Sequence, residues 1–151
     1  MIKSLALFAA LTVTSCTPAL AFDGTWHQGE YWTVYVSLKH KNCTAAAQFD
    51  NNRALMFTSD GNSIMFSIGG LGLDDGTYKT VIKTDKSLAL ELVGQSINGL
   101  LAFKGINNKA EVAIKEGELL YIDGVGSFRL EGSKKALEEV VTCGLTLQDT
   151  I

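Results

Sequence analysis

The chain has 151 residues, enough for one ordinary domain. Charged residues make up 19% and hydrophobic residues 46%, with a single proline, which excludes a disordered, collagen-like or low-complexity chain. The net charge of −3 leaves no cationic face for nucleic acid and no polybasic segment for anionic lipid.

The N-terminus has the pattern of an export signal. Lys3 supplies a positive start, residues 5–13 (LALFAALTV) form an apolar run, and Ala19-Leu20-Ala21 matches the small-x-small cleavage site. Pro18 suits the extended conformation that a signal peptidase reads. The expected division is a signal peptide over 1–21 and one exported β-rich domain over 22–151, beginning at Phe22. The apolar run is too short for a transmembrane anchor, which needs about 20 residues, so no anchor is expected after cleavage. Lipidation at Cys16 is the alternative processing. The short positive start and early cleavage site have a bacterial look, so the destination is periplasmic or secreted.

The rest of the chain reads as short strands in succession. Residues 31–39 (YWTVYVSLK) alternate: Trp32, Val34, Val36 and Leu38 share one face, while Tyr31, Thr33, Tyr35, Ser37 and Lys39 share the other. Further strands are expected at 43–50, 55–58, 63–68, 77–83, 88–93, 97–104, 111–115, 118–122 and 125–130. Asp60-Gly61-Asn62 and Asp123-Gly124 mark hairpin turns. The expected fold is all-β: an antiparallel β-sandwich or curved sheet of about nine strands, with one C-terminal α-helix.

For that helix, Ser133 is the expected N-cap and Gly144 the expected C′ residue. Ala136, Leu137, Val140 and Val141 form its apolar stripe. Lys135 and Glu139 stand four apart on its wet side.

Two cysteines remain once the leader is removed, Cys43 and Cys143, 100 positions apart. In an oxidising compartment they are expected to form one disulfide, worth about 4.7 kcal/mol in the chain-entropy picture for a loop of that length. A reactive thiol or a metal pair is the alternative. Neither cysteine lies in a Cys-x-x-Cys motif or near a histidine at ligand spacing.

The stretch from Phe128 to Cys143 (FRLEGSKKALEEVVTC) resembles the C-terminal signature of small exported alphaproteobacterial proteins of the invasion-associated locus B family. There a strand leads through glycine into a helix carrying Ala-Leu and a terminal cysteine. Trp32 and Cys43 are loosely similar as well. The resemblance implies an envelope or secreted β-sandwich and carries over no catalytic residue.

Motifs for chemistry are sparse. The two histidines, His27 and His40, are read as exposed polar residues. Lys39 and Lys41 flank His40, which disfavours a metal cation there and leaves contact with an acidic partner as its candidate role. Asp74-Asp75 follows the glycines at 69, 70 and 72, but the stretch has neither an EF-hand pattern nor a phosphate-loop pattern, so it reads as a solvated turn. Asn42-Cys43-Thr44 has glycosylation spacing, which carries no weight in a bacterial chain with Cys43 bridged.

No cofactor is expected. Three function classes remain. The first is a non-catalytic binding protein of the envelope, binding or inhibiting a protein or recognising an envelope component. The second is a secreted or surface factor acting on a host, and the third a hydrolase. For binding, the aromatic set Trp26, Tyr31, Trp32 and Tyr35 supplies anchors. The candidate contact patch is the outer face of the first strand and its end: Tyr31, Tyr35, Lys39, His40 and Lys41.

Overall fold

In the computed structural model, residues 22–104 and 106–149 are described. The expected signal peptide and the Cys16 alternative lie outside them. Ten strands form a single sheet, in the spatial order β1-β2-β3-β4-β5-β8-β7-β6-β9-β10, and every neighbouring pair is antiparallel. In chain order these are β1 (Gly24–Gln28), β2 (Thr33–Ser37), β3 (Asn42–Gln48), β4 (Ala54–Ser59), β5 (Ile64–Gly69), β6 (Gly76–Thr84), β7 (Leu90–Ile97), β8 (Leu100–Phe103), β9 (Leu119–Ile122) and β10 (Gly126–Arg129). Helix α1 (Asn108–Glu116) joins β8 to β9, and α2 (Ser133–Asp149) ends the described chain.

The sheet curls until its far parts meet. Phe49, just past β3, packs edge-on against Phe128 of β10, with ring centroids 5.1 Å apart. Those strands stand seven neighbours apart in the sheet, about 34 Å if it were flat at ~4.8 Å per strand. Arg53, at the start of β4, donates from Nη1 to the Val125 carbonyl in the β9–β10 turn at 2.7 Å. The architecture is therefore the curved-sheet alternative, with both halves contributing to one core.

Period-2 alternation decides which side chains enter that core. On the inner face Trp32, Phe57, Phe66 and Phe103 form a stacked ladder, with centroids 5.2, 5.4 and 5.7 Å apart in succession. Each such pair contributes roughly 0.5–1.5 kcal/mol beyond area burial. Helix α2 presents Ala136, Leu137, Val140, Cys143 and Leu147 to the same core. Cys43 on β3 and Cys143 on α2 are fully buried and disulfide-bonded, with Cα atoms 6.1 Å apart. The bond joins the helix to the strand it packs against most extensively.

Several local expectations change, among them the strands expected at 88–93 and 97–104, which form instead at 90–97 and 100–103. Residues 111–115 form part of α1, not a strand. Asn107 caps that helix, its side chain accepting from the Ala110 N–H at 2.9 Å. Ala110, Ala113 and Ile114 are its buried side, while Val112 points to solvent. A strand also forms at β1, ahead of the first predicted one. Its period breaks at a bulge between Thr25 and His27, where Trp26 reaches Glu139 of α2 (Nε1–Oε1 3.0 Å).

A further change is at Gly144, which lies inside α2 rather than after it. A Cβ there would stand 2.5 Å from Gly61 N and 2.7 Å from the Ser59 carbonyl oxygen. Glycine lets the helix backbone lie directly on the β4–β5 turn, so the helix continues past it. At its start, Ser133 is not the expected N-cap but the first helical residue, and it donates its hydroxyl to the Ile114 carbonyl at 2.9 Å, fastening α2 to α1. The Lys135–Glu139 pair forms as expected, at 2.7 Å.

Candidate functional site

The curl creates a pocket where the two ends of the sheet meet. Its walls are Tyr31 and Trp32 at the entry to β2, Ala47 to Asp50 at the end of β3, and Arg129 and Glu131 around the end of β10. The cavity holds about 240 Å³ and is smaller than two other surface depressions among the described residues. Its back wall is rigid. Trp32 is 3% exposed, stacks on Phe57, and donates from Nε1 to the Glu131 carbonyl at 3.0 Å. Tyr31 forms the rim and is 46% exposed. The Glu30 carboxylate beside the Tyr31 hydroxyl raises its pKa above the ordinary phenol range. Glu131 adds to that effect and Arg129 opposes it.

The predicted contact residues separate. Tyr35 lies on the outer face of β2, where Phe22 stacks on its ring at 4.7 Å and leaves it half-buried. Lys39, His40 and Lys41 are exposed in the β2–β3 turn. That turn lies about 26 Å from Tyr31 along an extended strand at ~3.3 Å per residue. Lys41 is held there with a φ of 52°, and its carbonyl accepts from Gln148 of α2 at 2.9 Å. Tyr31 therefore belongs to the pocket, Tyr35 to the sheet's outer face and the cations to a distant turn.

The outer face around Tyr35 is uncharged. Over β2–β5 and β8 the positions that alternate with the core face carry no Asp, Glu, Lys or Arg, and Thr44, Met56 and Ser67 among them are buried.

Two wider grooves lie elsewhere. One, of about 810 Å³, runs between the end of α1 and the start of α2, lined by Lys115, Glu118, Arg129, Lys134, Lys135 and Glu138. Its alternating charges are those of two solvated helix ends. The other, also about 810 Å³, lies by the β9–β10 turn, where Lys83 Nζ stands 5.7 Å from the Tyr121 ring centroid. Neither histidine lines any of the three depressions. His27 sits on β1 near Glu139, a carboxylate whose pKa is lowered first by Lys135 and then by Trp26. Asp75 caps the β7–β8 turn by accepting from the Asn98 N–H at 3.0 Å. Among the described residues, no group of three or more His, Cys, Asp and Glu side chains could hold a metal ion.

The pocket residues outside β2 were not singled out from the sequence. Gln48 and Asp50 come near Tyr31 through the β2–β3 pairing, in which Thr33 stands opposite Ala46, while only the curl of the sheet brings Arg129 and Glu131 there. No local motif marks them.

Among the described residues, no helix is long and apolar enough to cross a membrane. The chain matches no family model, no curated protein and no solved structure.

Proposed function

We propose that this chain is an exported, non-catalytic binding protein of the bacterial envelope, acting in the periplasm or beyond. The observation that carries the reading is the pocket at Tyr31. An aromatic residue stands nearly half exposed over a preformed cavity whose walls come from separate chain segments, all anchored in one disulfide-tied core. Preformed concave sites with an aromatic rim and a few convergent polar groups favour binding, because little order must be imposed on the protein when the ligand arrives. The buried disulfide agrees with an oxidising compartment. The resemblance to exported invasion-associated proteins supports the same location.

The test is affinity capture from an envelope extract with the wild-type protein and with Tyr31→Ala. A component retained by the wild type and depleted at least tenfold by the variant supports the reading. Capture that is indifferent to Tyr31→Ala removes the pocket from it.

A further inference from the structure

The connection from β7 to β8 is two residues long. Ile97 pairs with Leu100, and Asn98 and Gly99 between them both have positive φ, 53° and 81°, as a type I′ turn requires. Asparagine and glycine suit that turn because the left-handed region costs them least. The same pair is chemically weak. A backbone nitrogen that follows an asparagine can attack its side-chain carbonyl carbon, and glycine, with no Cβ, hinders the attack least.

Asn98 is the only asparagine in the sequence that precedes a glycine, and the fold leaves both reacting groups open. Among the described residues, the Asn98 side chain and the Gly99 N–H have no hydrogen-bond partner. Asn98 is exposed, and no atom lies within 4 Å of the point where a Cβ of Gly99 would stand. The Asp-Gly pairs are poorer sites, because an ionised carboxylate repels the anionic nitrogen. Asp23 is also held by the Leu38 N–H at 2.7 Å, and Asp60 by the Asn62 and Ser63 N–H groups. The Gly61 N–H is itself bonded to Ser59 Oγ at 2.9 Å. Asp75 is engaged by the turn in question: its carboxylate accepts from the Asn98 N–H at 3.0 Å, tying residues 23 positions apart.

We propose that Asn98 is a site of spontaneous modification in the folded protein, converting to aspartate and isoaspartate, and that conversion loosens the tie to Asp75. Hydroxide takes the proton of the Gly99 nitrogen, which bonds to the Asn98 side-chain carbonyl carbon. The bond from that carbon to Nδ2 breaks and ammonia leaves. Water then opens the five-membered imide. Opening at the side-chain carbonyl gives aspartate, and opening at the main-chain carbonyl gives isoaspartate, whose main chain is longer by one carbon. Either way an NH2 group is exchanged for OH. Aspartate at this position sets a second carboxylate beside Asp75. Two unit charges about 4 Å apart in water repel enough to shift an equilibrium about fivefold. Isoaspartate lengthens a turn whose length fixes the β7–β8 register. None of this depends on the binding-protein reading.

The test keeps the folded, oxidised protein at mildly alkaline pH and samples it by peptide mapping, with electron-transfer fragmentation to separate aspartate from isoaspartate. The proposal expects the exchange of NH2 for OH at Asn98 before any other residue, faster as the pH rises. The modification should be absent from that turn in Asn98→Gly, which keeps the positive φ. Amide hydrogen exchange reads the consequence. In the aged protein and in Asn98→Asp, residues 74–76 and 97–100 should exchange about fivefold faster, the size set by the charge repulsion. Asp75→Asn should remove the effect of Asn98→Asp, because the second charge is gone. An Asn98 still intact when other asparagines have converted overturns the proposal. So does a converted Asn98 with exchange at 74–76 and 97–100 unchanged.

Discussion

Replacing Gly144 by alanine sets two effects of opposite sign against each other. In the exposed interior of a helix the change stabilises by about 1 kcal/mol, because alanine restricts the unfolded chain and suits the helix. In α2 the new methyl carbon would stand 2.5 Å from Gly61 N, 2.6 Å from the Asp60 carbonyl carbon and 2.7 Å from the Ser59 oxygen. Comfortable contact needs about 3.5–4.0 Å. All three neighbours are backbone, so no side chain can swing away. The helix cannot slide freely either, because Cys143 next to Gly144 is bonded to β3. Overpacking costs about 1–3 kcal/mol, and three backbone contacts under 3 Å put this site at about 2–3 kcal/mol, which exceeds the propensity gain. The expected result is a net loss of about 1–2 kcal/mol, or a melting temperature roughly 3–8 °C lower for a domain of this size. Urea unfolding of the oxidised protein, followed by far-UV circular dichroism, reads the difference, with an unchanged denaturant slope confirming an intact fold. A Gly144→Ala protein that is more stable than the wild type would refute the close approach of α2 to the β4–β5 turn.

Other consequences are as specific. Asn107→Ala should cost about 1 kcal/mol in the same assay, because the Ala110 N–H loses its cap; no change would mean that α1 is held by packing alone. Alkylation of the unfolded, unreduced protein should label neither Cys43 nor Cys143, and reduction should lower stability by up to about 4.7 kcal/mol; labelling of both would reopen the reactive-thiol reading. Acid should destabilise the fold through Asp60 and Asp85. The carboxylate of Asp60 accepts from the Asn62 and Ser63 N–H groups, and that of Asp85 from the Leu119 and Glu118 N–H groups, so both pKa values are lowered. A depressed folded pKa gives stability that is present above the ordinary carboxylate value near 3.9 and is lost as the pH falls through the lower, folded value. Melting temperatures should therefore decline below about pH 4, and Asp85→Asn should flatten part of that decline.

Strong local signals made much of this fold legible. The alternation over residues 31–39 placed Trp32 and Val34 inside and Tyr35 outside, and the structure agrees there, but it fails at the strand's end, where Ser37 is buried and Leu38 is 59% exposed. Asp123-Gly124 marked the β9–β10 hairpin, and the stripe on Ala136, Leu137 and Val140 marked α2. Short segments failed where two periods fit equally well. Over five residues, Val112 and Ile114 alternate like a strand while Ala110, Ala113 and Ile114 recur like a helix, and the deciding cap, Asn107, looked like an ordinary turn residue. Strand β1 was missed because its bulge at Trp26 breaks the period. Gly144 was read as a helix end because glycine marks both ends and close approaches, and only the packing of α2 on Gly61 separates the two. Half of the site was hidden for a deeper reason. Tyr31 declared itself as an outward aromatic of the first predicted strand, but Arg129 and Glu131 reach it through long-range contacts, Phe49 on Phe128 and Trp32 Nε1 on the Glu131 carbonyl, which join residues 79 and 99 positions apart in the chain.

The central claim is that partners are recognised at the seam where the sheet's ends meet. Mapping amide shifts of the exported protein as the captured envelope component is added tests it most directly. The account predicts that the largest changes fall on Tyr31, Gln48, Asp50, Arg129 and Glu131, with Lys39, His40 and Lys41 unmoved. Changes centred on the Lys39–His40–Lys41 turn, with the seam unmoved, would contradict it.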